Sequence, residues 1–313
     1  MVLISINNRL VKTLSSLTLI GVLSAFLFAC GGGGSDSSSS SSSSTTPAST
    51  MNLATPAGTS CASSFSNTDA FGNISFTVSQ PINASSWGCL VVDKANNQPV
   101  YSGSQSIRFE VRRGDCNASI TFDDCVNDRS RWEINEYKAK STSGQIITYE
   151  YFVYIPTQPL IQPSPKSSAN SPLTDLTQIN WQCSTSNPCS NLNGSGYGAL
   201  AFLKIDYTGT LYLQTHQDFT WTPNQVVAID TKPQDKWIKL KYVIKSTAAS
   251  DGYIQIYAND KLVINETRAT LPNSSATDFL KFGIYNSSLS AASQPWQTQV
   301  VYFDGISTSI TNF

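Results

Sequence analysis

Residues 279–286 read FLKFGIYN, and their side chains alternate between apolar and polar from position 280 to position 285. In a β-strand, successive side chains point to opposite faces of the sheet. The two faces would be Leu280, Phe282 and Ile284 on one side, and Lys281, Gly283 and Tyr285 on the other. The stretch therefore predicts a strand with one face in a hydrophobic core and the other presenting a cation, a glycine and a phenol. We expect Gly283 to let a ligand approach the backbone closely.

Several other stretches alternate in the same way, and no long stretch keeps the period of a helix. Clear examples are SIRFEVRRG (106–114), RWEINEYK (131–138), TQINWQC (177–183) and KWIKLKYVIK (236–245). The stretch GYIQIYANDKLVINE predicts a hairpin that turns at Asn259-Asp260. Many short strands without helices between them predict an all-β jelly-roll sandwich of two antiparallel sheets.

The polar faces of these strands are rich in arginine and amide side chains, which are poor strand formers. A solvated sheet face would also alternate, but arginines and amides bind hydroxyls and carboxylates, and aromatic rings pack on sugar rings. We therefore interpret these faces as a groove for a sugar chain. The candidate sugar-binding residues are Arg108, Arg112, Glu133, Asn135, Gln182, Lys239 and Lys281.

The N-terminus predicts an exported protein. Residues 1–29 combine a basic start with a short apolar run, as in a secretory signal, and Cys30 follows directly. This arrangement resembles the bacterial lipoprotein signal, so we expect a lipid on Cys30 that anchors the protein in a membrane. Residues 30–60 predict a Gly/Ser-rich disordered tether, and 61–313 one large β domain. The expected location is the cell envelope, lipid-anchored at the outer membrane, with plain secretion as the alternative.

Six cysteines remain after Cys30, and an even number in an exported chain predicts disulfides. Short loops predict the pairs Cys116–Cys125 and Cys183–Cys189, which leaves Cys61–Cys89. Zinc is disfavoured because the spacings contain no CxxC pair and His216 is the only histidine of the chain.

The formal net charge of −1 gives no reason to expect a nucleic-acid partner, and we expect a monomer. No cofactor is expected. A structural calcium ion is an option because Asp123, Asp124 and Asp128 lie close together in loops, although such acidic loops are usually just solvated.

Three strands carry a resemblance to a known family. SRWEINEY resembles the R-T-E-L-R strand of jelly-roll alginate lyases, TQIN resembles their Q-I-H strand, and FLKFGIYN resembles their Y-F-K-x-G-x-Y-N strand. The wider layout over 100–310 is similar to glucuronan lyases and heparin-lyase-I-like enzymes. The resemblance implies a concanavalin-like jelly roll whose concave sheet binds an anionic polysaccharide.

The resemblance also implies a reaction, β-elimination at a uronate of alginate, glucuronan or a similar polymer. In this reading Arg131 and Gln178 bind the carboxylate, Tyr285 transfers the proton, and Lys281 helps to place the chain. Asn180 stands where the family has a histidine and cannot act as a base. Either Tyr285 makes both proton transfers, with Asn180 helping to neutralise the carboxylate, or His216 replaces the missing base.

Two other functions stay open on the sequence alone. The first is a noncatalytic, lectin-like glycan-binding domain on the same fold. The second is a glycoside hydrolase, because Glu110, Glu133 and Glu136 could supply paired carboxylates. Alternation of Glu110 and Glu133 with arginines favours ion pairs over an acid and a base.

Overall fold

The computed structural model describes residues 56–61, 76–79, 87–116, 123–136, 140–161, 173–184, 189, 197–289 and 297–313. The strands in these ranges are β1 (Thr59–Ser60), β2 (Phe76–Ser79), β3 (Cys89–Asp93), β4 (Gln105–Val111), β5 (Arg129–Glu136), β6 (Ser141–Thr142), β7 (Gln145–Tyr154), β8 (Leu173–Gln182), β9 (Tyr197–Ile205), β10 (Leu211–His216), β11 (Pro223–Asp230), β12 (Trp237–Ser246), β13 (Tyr253–Ala258), β14 (Lys261–Thr267), β15 (Thr277–Ser287) and β16 (Gln299–Asn312). A short 3₁₀ helix, Lys94–Asn96, follows β3.

The strands form two antiparallel sheets. The first sheet has the order β1-β3-β4-β16-β7-β12-β13-β14. The second sheet has the order β11-β10-β9-β8-β15-β5-β2, and β6 pairs with β15 at its side. Several neighbours in space are distant in sequence, such as β4 with β16 and β5 with β15, as in a jelly roll. The predicted all-β jelly-roll sandwich is confirmed.

The inner faces of both sheets form the core, and the alternation predicted which residues face it. Phe282 of β15 meets Phe109 of β4 and Phe303 of β16, with ring centroids 5.8 and 5.2 Å apart. Phe109 and Phe303 have no exposed surface. The apolar face of FLKFGIYN thus lies at the centre of the sandwich, where the two sheets meet.

The predicted hairpin lies between β13 and β14. Asn259 and Asp260 both have positive φ, 47° and 65°, as a two-residue type I′ turn requires. Asparagine and aspartate tolerate this left-handed conformation better than most residues, which explains their presence here.

Three disulfides close loops around the sandwich, and they are the pairs predicted from loop length. They are Cys61–Cys89, Cys116–Cys125 and Cys183–Cys189. The first of them fastens the segment after β1 to the first sheet. Such links stabilise an exported domain chiefly by restricting its unfolded chain.

The N-terminal predictions lie mostly outside the described residues. The signal over 1–29, Cys30 and most of the tether belong to that part and stay predictions. Strand β1 lies at the end of the predicted tether and pairs with β3, so the folded part begins before residue 61. Within the described ranges, no helix is both long and apolar enough to cross a bilayer.

Candidate active site

The polar face of β15 is the outward face of the second sheet, here called the site face. Tyr285 lies opposite Arg131 of β5 and Asp175 of β8. The guanidinium carbon of Arg131 is 4.4 Å from the centre of the Tyr285 ring, within the range of a cation–π contact. Tyr285 keeps part of its surface exposed. The structure thus brings the predicted phenol and arginine into direct contact.

Arg131 is already held by two carboxylates. Its Nε and Nη2 donate to the two oxygens of Asp124 at 2.6 Å each, and its Nη1 donates to Glu133 at 3.2 Å. Burial alone would lower the pKa of Arg131, but the charges of Glu133 and Asp124 outweigh burial and raise it. Arg131 therefore stays charged and fixed in place, with most of its donors used inside the protein.

An amide chain continues from Glu133 to β8. Gln178 donates through Nε2 to Oε1 of Glu133 at 2.7 Å, and Asn180 Nδ2 lies 3.4 Å from Oε1 of Gln178. Asn180 has no exposed surface, and its Oδ1 has no hydrogen-bond partner among the described residues. Amide O and N atoms are assigned from such networks, and this orientation leaves one polar atom of Asn180 unsatisfied.

Lys281 lies in one row with the predicted sugar-binding residues of the neighbouring strands. It is opposite Asn135 on β5 and Gln178 on β8. Gln182 lies at the exposed end of β8, where its side chain accepts a hydrogen bond from Lys140. These residues, with Glu133, share the site face.

A register irregularity between β15 and β8 brings an additional polar side chain of β8 onto this face. Phe282 is opposite Thr177 but Tyr285 is opposite Asp175, so β15 has one residue more than β8 in this interval. Thr177 points inward and bonds the hydroxyl of Tyr151 at 2.7 Å. As a result both Gln178 and Asp175, three residues apart, reach the site face.

The structure gives a reason for the glycine at position 283 that the sequence did not predict. Its φ is +144°, and a Cβ there would lie 2.1 Å from the carbonyl oxygen of Trp132 on β5. The side chain is therefore missing because the backbone conformation and the close neighbouring strand require it. The expectation that Gly283 also lets a ligand approach the backbone stays a prediction.

Three predicted sugar-binding residues do not join the site face, and for them the prediction of one shared groove is wrong. Arg108 and Arg112 belong to β4 and its end, and Lys239 to β12, so all three lie on the first sheet. Arg108 is 1 % exposed. The two arginines flank the buried carboxylate of Glu110, whereas Lys239 pairs with Glu150 and Asp260.

His216 does lie on the second sheet, but far from Tyr285. Tyr285, Asp175, Lys204 and Tyr212 form one row across four strands, and His216 is four residues further along β10. With strands about 4.8 Å apart and about 3.3 Å per residue, the two side chains start about 15–20 Å apart. Burial lowers the pKa of His216 to about 4, and the charges of Lys204 and Arg268 add to this effect.

His216 belongs to a small polar and aromatic cluster at that end of the face. Its Nε2 lies 2.6 Å from the amide nitrogen of Gln214, and its Nδ1 is buried without a partner among the described residues. The rings of Phe202 and Trp221 lie 4.9 and 5.7 Å from the imidazole, and Trp221 is 54 % exposed.

Several residues of the site face were not singled out from the sequence. Asp175 and Lys204 form a buried ion pair at 2.6 Å, and burial raises the pKa of Asp175 against the pull of Lys204. Arg129 lies two residues before Arg131, with its guanidinium carbon 5.9 Å from the Tyr285 ring. Alternation in ALAFLKIDY could have identified Lys204, and extending the alternation of RWEIN back by two residues could have identified Arg129.

Burial keeps the Tyr285 phenol protonated at neutral pH. Burial raises the pKa of Tyr285 above its ordinary value, although Arg131 and Arg129 oppose the shift. A neutral phenol can donate a proton to an oxygen at neutral pH.

The acidic loop considered for calcium is used otherwise. Both carboxylate oxygens of Asp124 bind Arg131, and Asp123 accepts the N–H of Val126 at 3.0 Å. In the described part of the chain, no three His, Cys, Asp or Glu side chains cluster as metal ligands would.

Comparison with solved structures gives related folds at low sequence identity. The endo-β-1,4-glucuronan lyase of the fungus Trichoderma reesei has a TM-score of 0.50 and 15 % identity, covering 75 % of this chain and 94 % of that one. The alginate lyase AlyA1 of Zobellia galactanivorans has a TM-score of 0.47 and 16 % identity, covering 67 % and 80 %. The family 7 alginate lyase A1-II′ has a TM-score of 0.47 and 12 % identity, covering 66 % and 81 %.

A search of curated proteins finds no significant match. A sequence model of one family, described as polysaccharide lyase, matches residues 79–307. That range includes β5, β8 and β15, the three strands that bring Arg131, Gln178 and Tyr285 together. With most of its length matched, the chain belongs to the polysaccharide lyase family.

Proposed function

We propose that this polysaccharide lyase cleaves a uronic-acid polymer, alginate or a glucuronan-like chain, with Tyr285 as the proton-transfer group. One observation carries the proposal: the Tyr285 phenol lies on the site face in contact with a fixed guanidinium, 4.4 Å away, and Glu133 links that guanidinium to the amide of Gln178. A phenol, a cation and amides are the groups that elimination at a uronate requires.

The reaction breaks two bonds of one sugar and forms a double bond. A base removes the hydrogen on C5, the C–H electrons form the C4–C5 double bond, and the C4–O4 bond breaks. The departing O4 takes a proton. Because C5 is next to a carboxylate, negative charge builds up on that group during proton removal, and nearby cations and amides stabilise it.

Tyr285 supplies the proton to O4 in this proposal. The proton is the one that the Tyr285 phenolate takes from C5, and the raised pKa of the group favours the re-formed phenol that carries it to O4. Proton transfer from a positioned side chain contributes about 10²–10⁴ in rate.

We assign the removal of the C5 proton to Tyr285 as well, in its ionised form. A base must come within about 3 Å of the proton that it takes. C5 and O4 are on neighbouring atoms of one sugar, whereas His216 and Tyr285 start about 15–20 Å apart. His216 is too distant to serve the sugar that Tyr285 contacts.

The pH dependence separates these two bases. If the Tyr285 phenolate takes the proton, kcat rises about tenfold per pH unit up to the raised pKa of the phenol, because the ionised fraction rises in that proportion. If His216 takes it, the rate is already constant above about pH 5, since the pKa of His216 is about 4.

A single group that serves both atoms also restricts the substrate. Such a group reaches C5–H and O4 only when both lie on the same face of the sugar ring. This holds for mannuronate and glucuronate, which share their configuration at C4 and C5. It does not hold for guluronate, the C5 epimer of mannuronate, or for galacturonate, the C4 epimer of glucuronate.

The test measures ultraviolet absorbance of the C4–C5 double bond on polymannuronate, polyguluronate, polyglucuronate and pectate. We expect absorbance to grow with polymannuronate or polyglucuronate and to fall about 10²–10⁴-fold with Tyr285→Phe. Tyr253→Phe, a partly buried tyrosine of the first sheet, is the matched control and should leave the rate unchanged. Equal rates for Tyr285→Phe and the parent protein would refute the assignment.

The competing functions make different predictions. Glycan binding without cleavage would leave no absorbance with any polymer, and Asn180 in place of a base is the feature that favours it. Hydrolysis would give saturated ends. The pairing of Glu110 with Glu133 that hydrolysis needs is not available, since they lie on different sheets, and the side chain of Glu136 lies outside the described part.

A further inference from the structure

We infer that Arg129, which lies outside the motif around Arg131, is the cation that binds the carboxylate of the reacting sugar. The inference rests on the proposed function of the site and names the residue that recognises the charge of the substrate. Arg131 then acts as a positioning residue that holds the ring of Tyr285.

Arg129 occupies the right place on the site face. It is the first residue of β5, two positions before Arg131, so both side chains point to the same side of the sheet. Its strand partner is Ser287, two residues after Tyr285 on β15. Its guanidinium carbon lies 5.9 Å from the Tyr285 ring centre, so a carboxylate bound to Arg129 would lie close to the phenol.

The two arginines differ in what they already bind. Arg131 gives Nε and both terminal nitrogens to Asp124 and Glu133. Arg129, only partly buried, has no ion pair and no side-chain hydrogen bond within the described part of the chain. Only two of the five guanidinium N–H groups of Arg131 remain for a substrate carboxylate, whereas all five of Arg129 are available.

The local backbone holds Arg129 in place without occupying its side chain. The N–H of Arg129 donates to the carbonyl of Asp124 at 2.9 Å, and Asp128 just before it adopts a positive φ of 60°. The carboxylate of Asp124 binds the guanidinium of Arg131, and the next residue, Cys125, is disulfide-bonded to Cys116. One residue, Asp124, therefore orders both arginines, and of the two only Arg129 keeps all of its side-chain donors.

The chemistry of the guanidinium suits this task. Arginine binds a carboxylate through two parallel N–H donors, which fixes the orientation of the carboxylate plane as well as its position. The carboxylate carbon is attached to C5, so a fixed carboxylate also fixes the C5 hydrogen relative to Tyr285. Lys281, the cation of the neighbouring strand β15, is 92 % buried and already has a partner within the protein.

The experiment compares Arg129→Ala, Arg129→Lys and the control Arg113→Ala in the purified protein. Arg113 is an exposed arginine in the loop after β4 of the first sheet. On the polymer that the parent protein cleaves, we expect Arg129→Ala to lower kcat/KM about 10²–10³-fold and Arg113→Ala to leave it within twofold. Arg129→Lys should recover part of the loss, since lysine keeps the charge but not the paired donors.

A second readout separates charge binding from a general structural effect. On the methyl ester of the same polymer the carboxylate is absent, so the loss caused by Arg129→Ala should shrink to less than tenfold. Added guanidinium ions should partly restore the variant on the acid polymer. If Arg129→Ala unfolds, Arg129→Gln, which keeps most of the side-chain length, replaces it in both assays.

The outcomes distinguish this inference from the proposed function. Arg129→Ala with parental activity, while Tyr285→Phe is inactive, would overturn the role of Arg129 and leave the lyase assignment intact. If the parent protein cleaves nothing, the lyase assignment fails, and titration calorimetry with hexamers of mannuronate and glucuronate tests Arg129 alone. A tenfold or greater loss of affinity in Arg129→Ala would then support it, and unchanged affinity would refute it.

Discussion

The substitution Asp278→Asn tests whether a buried carboxylic acid between the sheets makes the protein less stable as the pH rises. Asp278 of β15 is fully buried and accepts hydrogen bonds from the hydroxyls of Ser141 and Ser246. Ser246 belongs to β12 of the first sheet, so the carboxyl group links the two sheets. Burial raises the pKa of Asp278 from 3.8 to about 6, although the serine hydroxyls oppose the shift.

The magnitude follows from the shift between the unfolded and the folded protein. Between pH 3.8 and pH 6 the folded state binds the proton of Asp278 more tightly than the unfolded state does. The contribution of this group to stability is therefore fully present below pH 3.8 and is lost as the pH rises through 6. A shift of about 2.2 units corresponds to about 3 kcal/mol of unfolding free energy.

Urea unfolding followed by tryptophan fluorescence at pH 3.5, 5, 6 and 7 measures this effect, with the disulfides intact. Asparagine does not titrate, so the stability of Asp278→Asn relative to the parent should improve by about 3 kcal/mol from pH 3.5 to pH 7. The exposed Asp251, whose pKa is lowered by Lys245, gives the control Asp251→Asn, whose stability relative to the parent should not improve over this range. A difference between Asp278→Asn and the parent that stays constant over this range would refute the reasoning.

Two further substitutions test other parts of the site. Gly283→Ala should destabilise the protein by about 3 kcal/mol or more in the same urea assay, because the φ of Gly283 is +144° and the new Cβ would clash with the Trp132 carbonyl. The control Gly103→Ala, with open space around the new Cβ, should cost only about 1 kcal/mol. Replacing Cys116 and Cys125 together by serine should lower kcat about tenfold in the absorbance assay, since Asp124 beside Cys125 positions both arginines. A parental kcat in that double variant would show that Asp124 keeps its place without the disulfide.

The sequence predicted the sandwich and its core because the period of a β-strand is short and regular. In KWIKLKYVIK and in RWEIN every second side chain is apolar, and the structure buries Ile238, Leu240, Trp132 and Ile134 as expected. The disulfide pairs could also be predicted from the sequence, because short loops restrict which cysteines can meet. Local rules of this kind do not depend on how the strands are ordered in space.

The alternation did not reveal which sheet each strand joins. A sandwich has two outward faces, and a polar residue on either of them has the same sequence pattern. Arg108 and Lys239 therefore looked like partners of Lys281, although β4 and β12 belong to the first sheet and β15 to the second. The order of strands in a jelly roll depends on long-range pairing, which the period of a single strand does not encode.

The same limit applies to the charges within the site face. The motif around Arg131 suggested a carboxylate-binding arginine, but the loop residue Asp124, seven positions earlier, binds that arginine. Strand alternation does not show that the N–H donors of Arg131 are already bound. That depends on the loop before β5, which folds back so that Asp124 contacts the strand.

Asn180 limits how the site can work. The histidine expected there would lie on β8, next to the strand of Tyr285, whereas the only histidine of the chain is on β10 with β9 between them. His216 cannot move closer to Tyr285, because backbone hydrogen bonds fix the spacing of the strands that lie between them. The proposed function therefore places both proton transfers on Tyr285, and that phenol has a raised pKa. Burial makes ionisation of Tyr285 costly and the two arginines against its ring reduce that cost, so activity at neutral pH should depend on Arg129 and Arg131 more than on any residue around His216.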